Sequence, residues 1–114
     1  MRREFDPFDK EVIDDEFGQL EEKHEAALLA VMRLFEESPY RASRPVYIED
    51  LGGGILEIRH TSGIYQGRCL YYISASSKDF QKLTILVAYK KESHRTPGRI
   101  LKLARKRKEE HELR

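Results

Sequence analysis

Residues 83–89 read Leu-Thr-Ile-Leu-Val-Ala-Tyr, a run that is apolar on both faces of an extended strand. Such a strand is normally covered on both sides, so we expect it in the interior of a sheet. Upstream, residues 55–60 alternate between apolar and polar side chains, and residues 68–73 form a second strand-like run. The connections between these runs are short, which favours antiparallel pairing, because a parallel crossover needs about a dozen residues or more. The pattern therefore predicts a three-stranded antiparallel sheet, which a short strand near residues 3–6 or 46–49 would extend to four.

Helical periodicity precedes and follows this sheet. Residues 9–20 and 21–38 are each predicted to form a helix, and Ser38-Pro39 ends the second, because the residue before a proline is disfavoured in helical geometry. Thr96-Pro97 predicts the start of a third, basic helix, with threonine as the N-cap and proline at the first helical position. The second helix carries one apolar face, formed by Leu28, Val31, Met32 and Phe35.

The chain has 114 residues, which is a common length for one domain. We therefore expect an α+β fold in a single domain, residues 1–114. In this fold two N-terminal helices pack on a three- to four-stranded antiparallel sheet, and a basic C-terminal helix follows it.

The charge is divided unequally along the chain. Residues 1–58 carry 7 Lys/Arg and 15 Asp/Glu, a net charge of −8, whereas residues 59–114 carry 14 Lys/Arg and 5 Asp/Glu, a net charge of +9. Such polarity is typical of a basic half that meets a polyanion or an acidic partner. Alternatively, the two halves neutralise one another within the fold. The charge pattern alone leaves both interpretations open.

Several classes of function are disfavoured by what the sequence lacks. It contains no phosphate-binding Gly-x-x-x-x-Gly-Lys-Ser/Thr loop, no Gly-x-Ser-x-Gly elbow and no His-Glu-x-x-His motif. Gly52-Gly53-Gly54 precedes a strand rather than a helix, so it predicts a turn. The single cysteine, Cys69, predicts no internal disulfide, and no Cys/His cluster has the spacing of a zinc site. No apolar run is long enough to cross a bilayer, so we expect a cytoplasmic protein with no membrane contact. We also expect no metal and no cofactor.

Cationic and aromatic side chains are concentrated on the predicted sheet and just after it. Lysine and arginine neutralise phosphates, and tyrosine rings stack on unpaired bases, so this combination suits RNA. Preplaced cations can also stabilise the charge that builds on phosphate oxygens when the ribose 2′-hydroxyl cleaves RNA, while a nearby Tyr, His or Lys moves protons. The candidates are Arg59, His60, Tyr65, Arg68, Tyr71, Tyr89, Lys90, Lys91 and His94.

Each candidate also has a structural interpretation. Arg59 can pair with Glu57 or another carboxylate on the same face of the sheet, and Arg68 can be a solvated strand end. Lys90-Lys91 can protect the end of an apolar strand from aggregation. His24 and His111 fall on polar helix faces and receive no role, and Cys69 is interpreted as a small apolar filler.

Two blocks of sequence resemble a known family. Residues 44–59, Arg-Pro-Val-Tyr-Ile-Glu-Asp-Leu-Gly-Gly-Gly-Ile-Leu-Glu-Ile-Arg, resemble the Pro, Leu, Gly, aliphatic, Glu-aliphatic-Arg signature of HigB-like toxins in the RelE superfamily, which are often first described as phage-derived proteins. Residues 83–97 and the helix after them are similar to the family's closing strand, Lys-rich segment, Thr-Pro helix start and last helix. Two residues, Gln66-Gly67, separate Tyr65 from Arg68, whereas family members usually place the arginine directly after the aromatic residue.

This resemblance implies the toxin of a type II toxin–antitoxin system, an endoribonuclease that needs no metal and cleaves messenger RNA, usually on the ribosome. Its expected partners are mRNA, the ribosome and a cognate antitoxin, commonly of the helix-turn-helix type. By position, Arg59 and Arg68 would grip the scissile phosphate, and Lys90 would assist charge stabilisation. Tyr89 and His94 would serve proton transfer or base stacking. The residues expected to bind RNA are His60, Tyr65, Lys91 and Arg95. The competing interpretation is a noncatalytic basic module that binds nucleic acid or an acidic partner.

Overall fold

A computed structural model describes residues 2–37 and 45–114 of the chain. Five strands and three helices are formed by these residues: β1 (Arg2–Pro7), α1 (Lys10–Gly18), α2 (Glu22–Glu37), β2 (Val46–Asp50), β3 (Leu56–His60), β4 (Gly67–Ser76), β5 (Phe80–Lys90) and α3 (Gly98–Glu112). The two N-terminal helices confirm the helical periodicity of residues 9–37. The predicted helix stop at Ser38-Pro39 and the first residue of the motif at Arg44 lie outside the described residues.

The strands form one mixed sheet in the order β1-β5-β4-β3-β2. Strands β2 to β5 pair antiparallel, and β1 pairs parallel with β5, from Arg2 opposite Phe80 to Pro7 opposite Ile85. The prediction of a three- to four-stranded antiparallel sheet is therefore wrong, because both candidate extensions form at once and one of them is parallel. Short connections only inform pairing between consecutive strands, whereas β1 reaches β5 across two helices and three other strands. The interior position expected for residues 83–89 is confirmed.

Helices α1 and α2 pack on one face of the sheet. Asp9 caps α1 by accepting a hydrogen bond from the backbone N–H of Val12. The core beneath these helices is formed by residues that include Phe17, Leu28, Val31, Ile58 and Tyr71, all buried. Tyr71 therefore belongs to the core.

Helix α3 covers the opposite face, which we call the α3 face. Its apolar stripe buries Ile100 and Ala104 against residues that include Leu70, Tyr72 and Leu86. The end of the helix is anchored by a hydrogen bond between the Tyr72 hydroxyl and Nδ1 of His111, a histidine to which the sequence analysis gave no role.

Of two further predictions about loops, one is confirmed and the other is wrong. Gly52, Gly53 and Gly54 all adopt positive φ angles of 88°, 64° and 83°, which confirms the predicted turn, because only glycine enters this region without strain. Thr96 does not cap α3: Pro97 occupies the N-cap position and no side chain caps the helix. The Thr96 hydroxyl is directed to Glu57 instead. No helix within residues 2–37 and 45–114 is long and apolar enough to span a membrane.

Candidate functional site

A buried carboxylate lies at the centre of the polar residues on the α3 face. Glu57 in β3 is 1% exposed. Its Oε2 accepts hydrogen bonds from the Tyr89 hydroxyl at 2.8 Å and from the Thr96 hydroxyl at 2.9 Å. A buried charge is stable only when it is paired and hydrogen-bonded, so these contacts make Glu57 the residue around which its neighbours are arranged.

The other oxygen of Glu57 faces two cations. Nε of Arg68 lies 4.0 Å from Oε1 and Nζ of Lys91 lies 3.9 Å from it. Both cationic side chains are about nine-tenths buried. Within residues 2–37 and 45–114, neither Oε1 nor the Arg68 Nε has a hydrogen-bond partner, so the attraction here is Coulombic. We call Glu57, Arg68, Tyr89, Lys91 and Thr96 the Glu57 cluster.

Arg68 is held rigidly at the start of β4. Its Nη1 donates to the carbonyl oxygens of Tyr65 at 2.9 Å and Gly67 at 3.0 Å. Burial lowers the pKa of its guanidinium, and the positive charge of Arg59 lowers this pKa further, while Glu57 raises it. The positive charges of the two arginines therefore act against one another, and a bound anion would relieve this repulsion.

Arg59 is a third cation on this face. It lies two residues after Glu57 in β3, so its side chain points to the same side of the sheet. Its guanidinium lies 4.3 Å from the centroid of the Tyr47 ring, and its Nη1 donates to the carbonyl oxygen of His60. Among the described parts of the chain, no carboxylate is within ion-pair distance of Arg59, so the structure does not show the alternative in which Arg59 pairs with Glu57 or another carboxylate on the sheet.

The N-terminal helices set the position of this cluster through the start of β4. Nδ1 of His24 in α2 accepts a hydrogen bond from the backbone N–H of Gln66, and the carbonyl oxygen of Gln66 accepts from the backbone N–H of Lys91. A Cβ atom on Gly67 would lie 3.0 Å from the carbonyl oxygen of His24, so a larger residue would force the strand and α2 slightly apart. The two residues between Tyr65 and Arg68 therefore dock the strand on α2 and connect it to Lys91.

Burial raises the pKa of the Tyr89 phenol above its ordinary value of 10.0, and the neighbouring Glu57 carboxylate raises it further. The phenol therefore stays protonated near neutral pH and remains a donor to Glu57. Its chemistry in this conformation is to hold the carboxylate in place.

The remaining predicted site residues lie apart from the Glu57 cluster or on exposed chain. Lys90 forms an ion pair with Glu21, which precedes α2, at 3.4 Å. The rings of His60 and Tyr65 pack edge to face, with their centroids 4.7 Å apart. His94 and Arg95 are exposed on the segment that connects β5 to α3. Successive strand residues point to opposite faces, and the structure directs Lys91 to Glu57 and Lys90 to Glu21.

Part of the basic half is neutralised within the fold, and part of it stays available to an anionic partner. Arg107 of the basic helix forms an ion pair with Glu16 of α1 at 2.7 Å, and Lys90 is paired with Glu21. These contacts neutralise part of the basic half internally. Arg59 keeps its charge available on the α3 face.

Sequence reasoning did not select Glu57, Thr96 or Tyr47 as site residues. The signal for Glu57 was present: a carboxylate within a strand, flanked by Leu56 and Ile58, on the face that also carries Arg59. Thr96 was assigned to a helix cap, and its hydroxyl could be assigned to Glu57 only once α3 was docked on the sheet.

Comparison with protein families gives a match over most of the chain. Residues 15–109 match the family described as phage-derived protein Gp49-like (DUF891). No curated protein sequence matches the chain. The matched range contains every member of the Glu57 cluster and also Arg59.

Proposed function

Because the chain belongs to the Gp49-like family of phage-derived proteins, which is a toxin-like family related to RelE, we propose that it is the toxin of a type II toxin–antitoxin pair. In this proposal it is an endoribonuclease that cleaves mRNA in the cytoplasm, in association with the ribosome. A cognate antitoxin, of the helix-turn-helix type implied by the HigB resemblance, would hold it inactive. The proposal treats RNA as the substrate and requires no cofactor.

The observation that carries this proposal is the convergence of three cations on one face of the sheet. Arg68 and Lys91 both approach Oε1 of Glu57, and Arg59 is near enough to Arg68 to lower its pKa. One carboxylate cannot balance three positive charges. The excess positive charge at this point suits the phosphate of a nucleic acid, which also supplies a counter-ion for Arg59.

The proposed reaction breaks one phosphodiester bond. The ribose 2′-hydroxyl gives up its proton as its oxygen bonds to the neighbouring phosphorus, and the bond from phosphorus to the 5′-oxygen breaks. The leaving 5′-oxygen takes up a proton, so the products are a 2′,3′-cyclic phosphate and a 5′-hydroxyl. Negative charge rises on the phosphate oxygens on the way, and fixed cations stabilise it, each typically contributing about 10²- to 10³-fold in rate. Arg59 and the exposed parts of Arg68 and Lys91 fill this role, and His94 on the adjacent exposed segment remains the candidate for proton transfer.

Glu57 acts in this proposal as a positioning residue. With 1% of its surface exposed, it does not reach substrate in this conformation. It fixes Arg68 and Lys91 by charge and Tyr89 and Thr96 by hydrogen bonds, so the cations stay in place before RNA arrives.

The test is to induce the chain in cells, with and without its neighbouring reading frame, and to map mRNA ends. We expect growth arrest with new 5′ ends, relieved by the neighbouring frame. Purified protein with ribosomes and mRNA in a chelator should release fragments that end in a 2′,3′-cyclic phosphate. Arg59→Ala and Lys91→Ala should each lower cleavage at least tenfold, whereas Lys102→Ala, an exposed cation on α3, should leave it within twofold. No growth arrest and no new ends would refute the proposal.

A noncatalytic module that binds nucleic acid is the second candidate. It is favoured by the burial of both Glu57 and Tyr89, which leaves the cluster with charge for binding but no exposed carboxylate to remove a proton. Retention of intact RNA, under conditions in which the protein binds it, would favour this candidate over the enzyme.

A further inference from the structure

An exposed aromatic ring lies beside the Glu57 cluster. Tyr47 in β2 is 42% exposed, although it is a large aromatic residue in a strand. It is the direct cross-strand partner of Arg59, so the two side chains share the α3 face. Its neighbours in β2 on either side, Val46 and Ile48, pack toward the core under α1 and α2.

The Tyr47 ring is held in a defined orientation. Strand β2 is paired with β3 along its whole length, which fixes the backbone under the ring. The Arg59 guanidinium then covers part of the ring, with 4.3 Å from its central carbon to the ring centroid, a cation–π contact. A ring fixed in this way loses little conformational freedom when a flat ligand stacks on it.

We propose that Tyr47 and Arg59 form a subsite for an unpaired nucleobase of single-stranded RNA, next to the phosphate that Arg59 contacts. This inference rests on the proposed function and extends it to the substrate's conformation. An aromatic ring beside a guanidinium is a combination on which bases stack, and bases in a duplex are already stacked and out of reach. Stacking accepts any base, so the subsite selects single strands more than sequence.

A purely structural role makes a different prediction. Tyr47 lies on an edge strand, and Arg59 could cover it only to limit edge-to-edge association. In that case removal of the ring would change self-association or the position of Arg59, but it would not change the preference of the protein for a strand that carries bases.

The experiment measures binding by fluorescence anisotropy with two labelled probes that cannot be cleaved. One is a single-stranded 2′-O-methyl oligouridine of about eight nucleotides, and the other is a strand of equal length with abasic residues throughout. We expect wild type to prefer the base-bearing probe. Tyr47→Ala should weaken binding of that probe about tenfold or more and leave the abasic probe within twofold, whereas Tyr47→Phe should bind both like wild type.

Three results would overturn the subsite. The first is that Tyr47→Ala binds both probes like wild type. The second is that it loses affinity equally for both probes, which would indicate that Arg59 is displaced. The third is that wild type binds neither probe. Thermal unfolding of each variant verifies that it is folded. Failure of the proposed function is distinguished by cleavage assays on RNA with its 2′-hydroxyls, both free and as mRNA on ribosomes. A protein that shows the base-dependent effect of Tyr47 but cleaves neither RNA retains the subsite and is not the enzyme.

Discussion

Replacement of Glu57 by glutamine tests whether the carboxylate holds the site together. The Glu57→Gln variant keeps the shape of the side chain, and the amide oxygen can still accept hydrogen bonds from Tyr89 and Thr96. It removes the negative charge that faces Arg68 and Lys91, whose side chains are 9% and 10% exposed. Two buried cations are then left without their counter-ion.

The expected loss follows from this burial. Removal of one partner of a buried ion pair typically lowers the free energy of unfolding by about 3–5 kcal/mol, because the remaining charge stays buried. A domain of this size has a total of about 5–15 kcal/mol. The melting temperature should therefore fall by about 10–20 °C, at about 4 °C per kcal/mol.

The assay is urea unfolding followed by circular dichroism, with Glu49→Gln as the control. Glu49 is the cross-strand partner of Glu57 but is exposed, so its neutralisation should change stability by no more than about 0.5 kcal/mol. Adding Lys91→Met to Glu57→Gln should restore part of the lost stability, because it removes one uncompensated cation. A Glu57→Gln variant within about 1 kcal/mol of wild type would refute the reasoning, since the carboxylate would then not be needed to hold these cations.

Three further predictions concern other parts of the fold. Gly67→Ala should lower the free energy of unfolding, measured in urea, by about 1–3 kcal/mol, because its Cβ would press on a carbonyl oxygen of α2. The control Gly63→Ala, whose Cβ would meet nothing within 4 Å, should not lower it. Equal unfolding midpoints for the two variants would contradict this prediction. Burial and nearby cations lower the pKa of His111 below 6.5, so the unfolded chain binds protons more readily than the folded protein, and stability should fall as pH decreases below 6.5. In urea unfolding at several pH values, the midpoint of His111→Gln should depend less steeply on pH than that of wild type. An unchanged slope would contradict this prediction. Cys69 is fully buried, which raises the pKa of its thiol, so a thiol reagent should label it only in denaturant; rapid labelling of the native protein would show that the core opens.

The local elements were largely predictable from the sequence. The helices α1 and α2, the glycine turn and the strand-forming runs 55–60, 68–73 and 83–89 follow from periodicity and turn chemistry, which act between near neighbours in the chain. The family resemblance at residues 44–59 pointed to the toxin-like family that the comparison supports.

The site residues were harder to identify from the sequence. Arg59 and Arg68 were selected from their charge in strands, and the structure brings them to the same face. The resemblance gave charge stabilisation to Lys90 and RNA binding to Lys91, whereas in the structure Lys91 approaches Glu57 and Lys90 pairs with Glu21. A single step along a strand reverses the side to which a side chain points, so a motif match that does not fix the face cannot decide between two adjacent lysines. Pairing of Glu57 with Arg59 was one of the alternatives left open by the sequence, but the ion pairs of Glu57 are with Arg68 and Lys91.

The sequence by itself determined which segments are helices and strands and which family the chain resembles, since both depend on patterns within short stretches. Only the tertiary structure decided that β1 pairs in parallel with β5 and that Thr96 donates a hydrogen bond to Glu57 instead of capping a helix. It also decided that Arg68 and Lys91 lie beside the Glu57 carboxylate. The reason is physical: these contacts join residues on different elements of the fold, and their partners are set by how the helices and the sheet pack together.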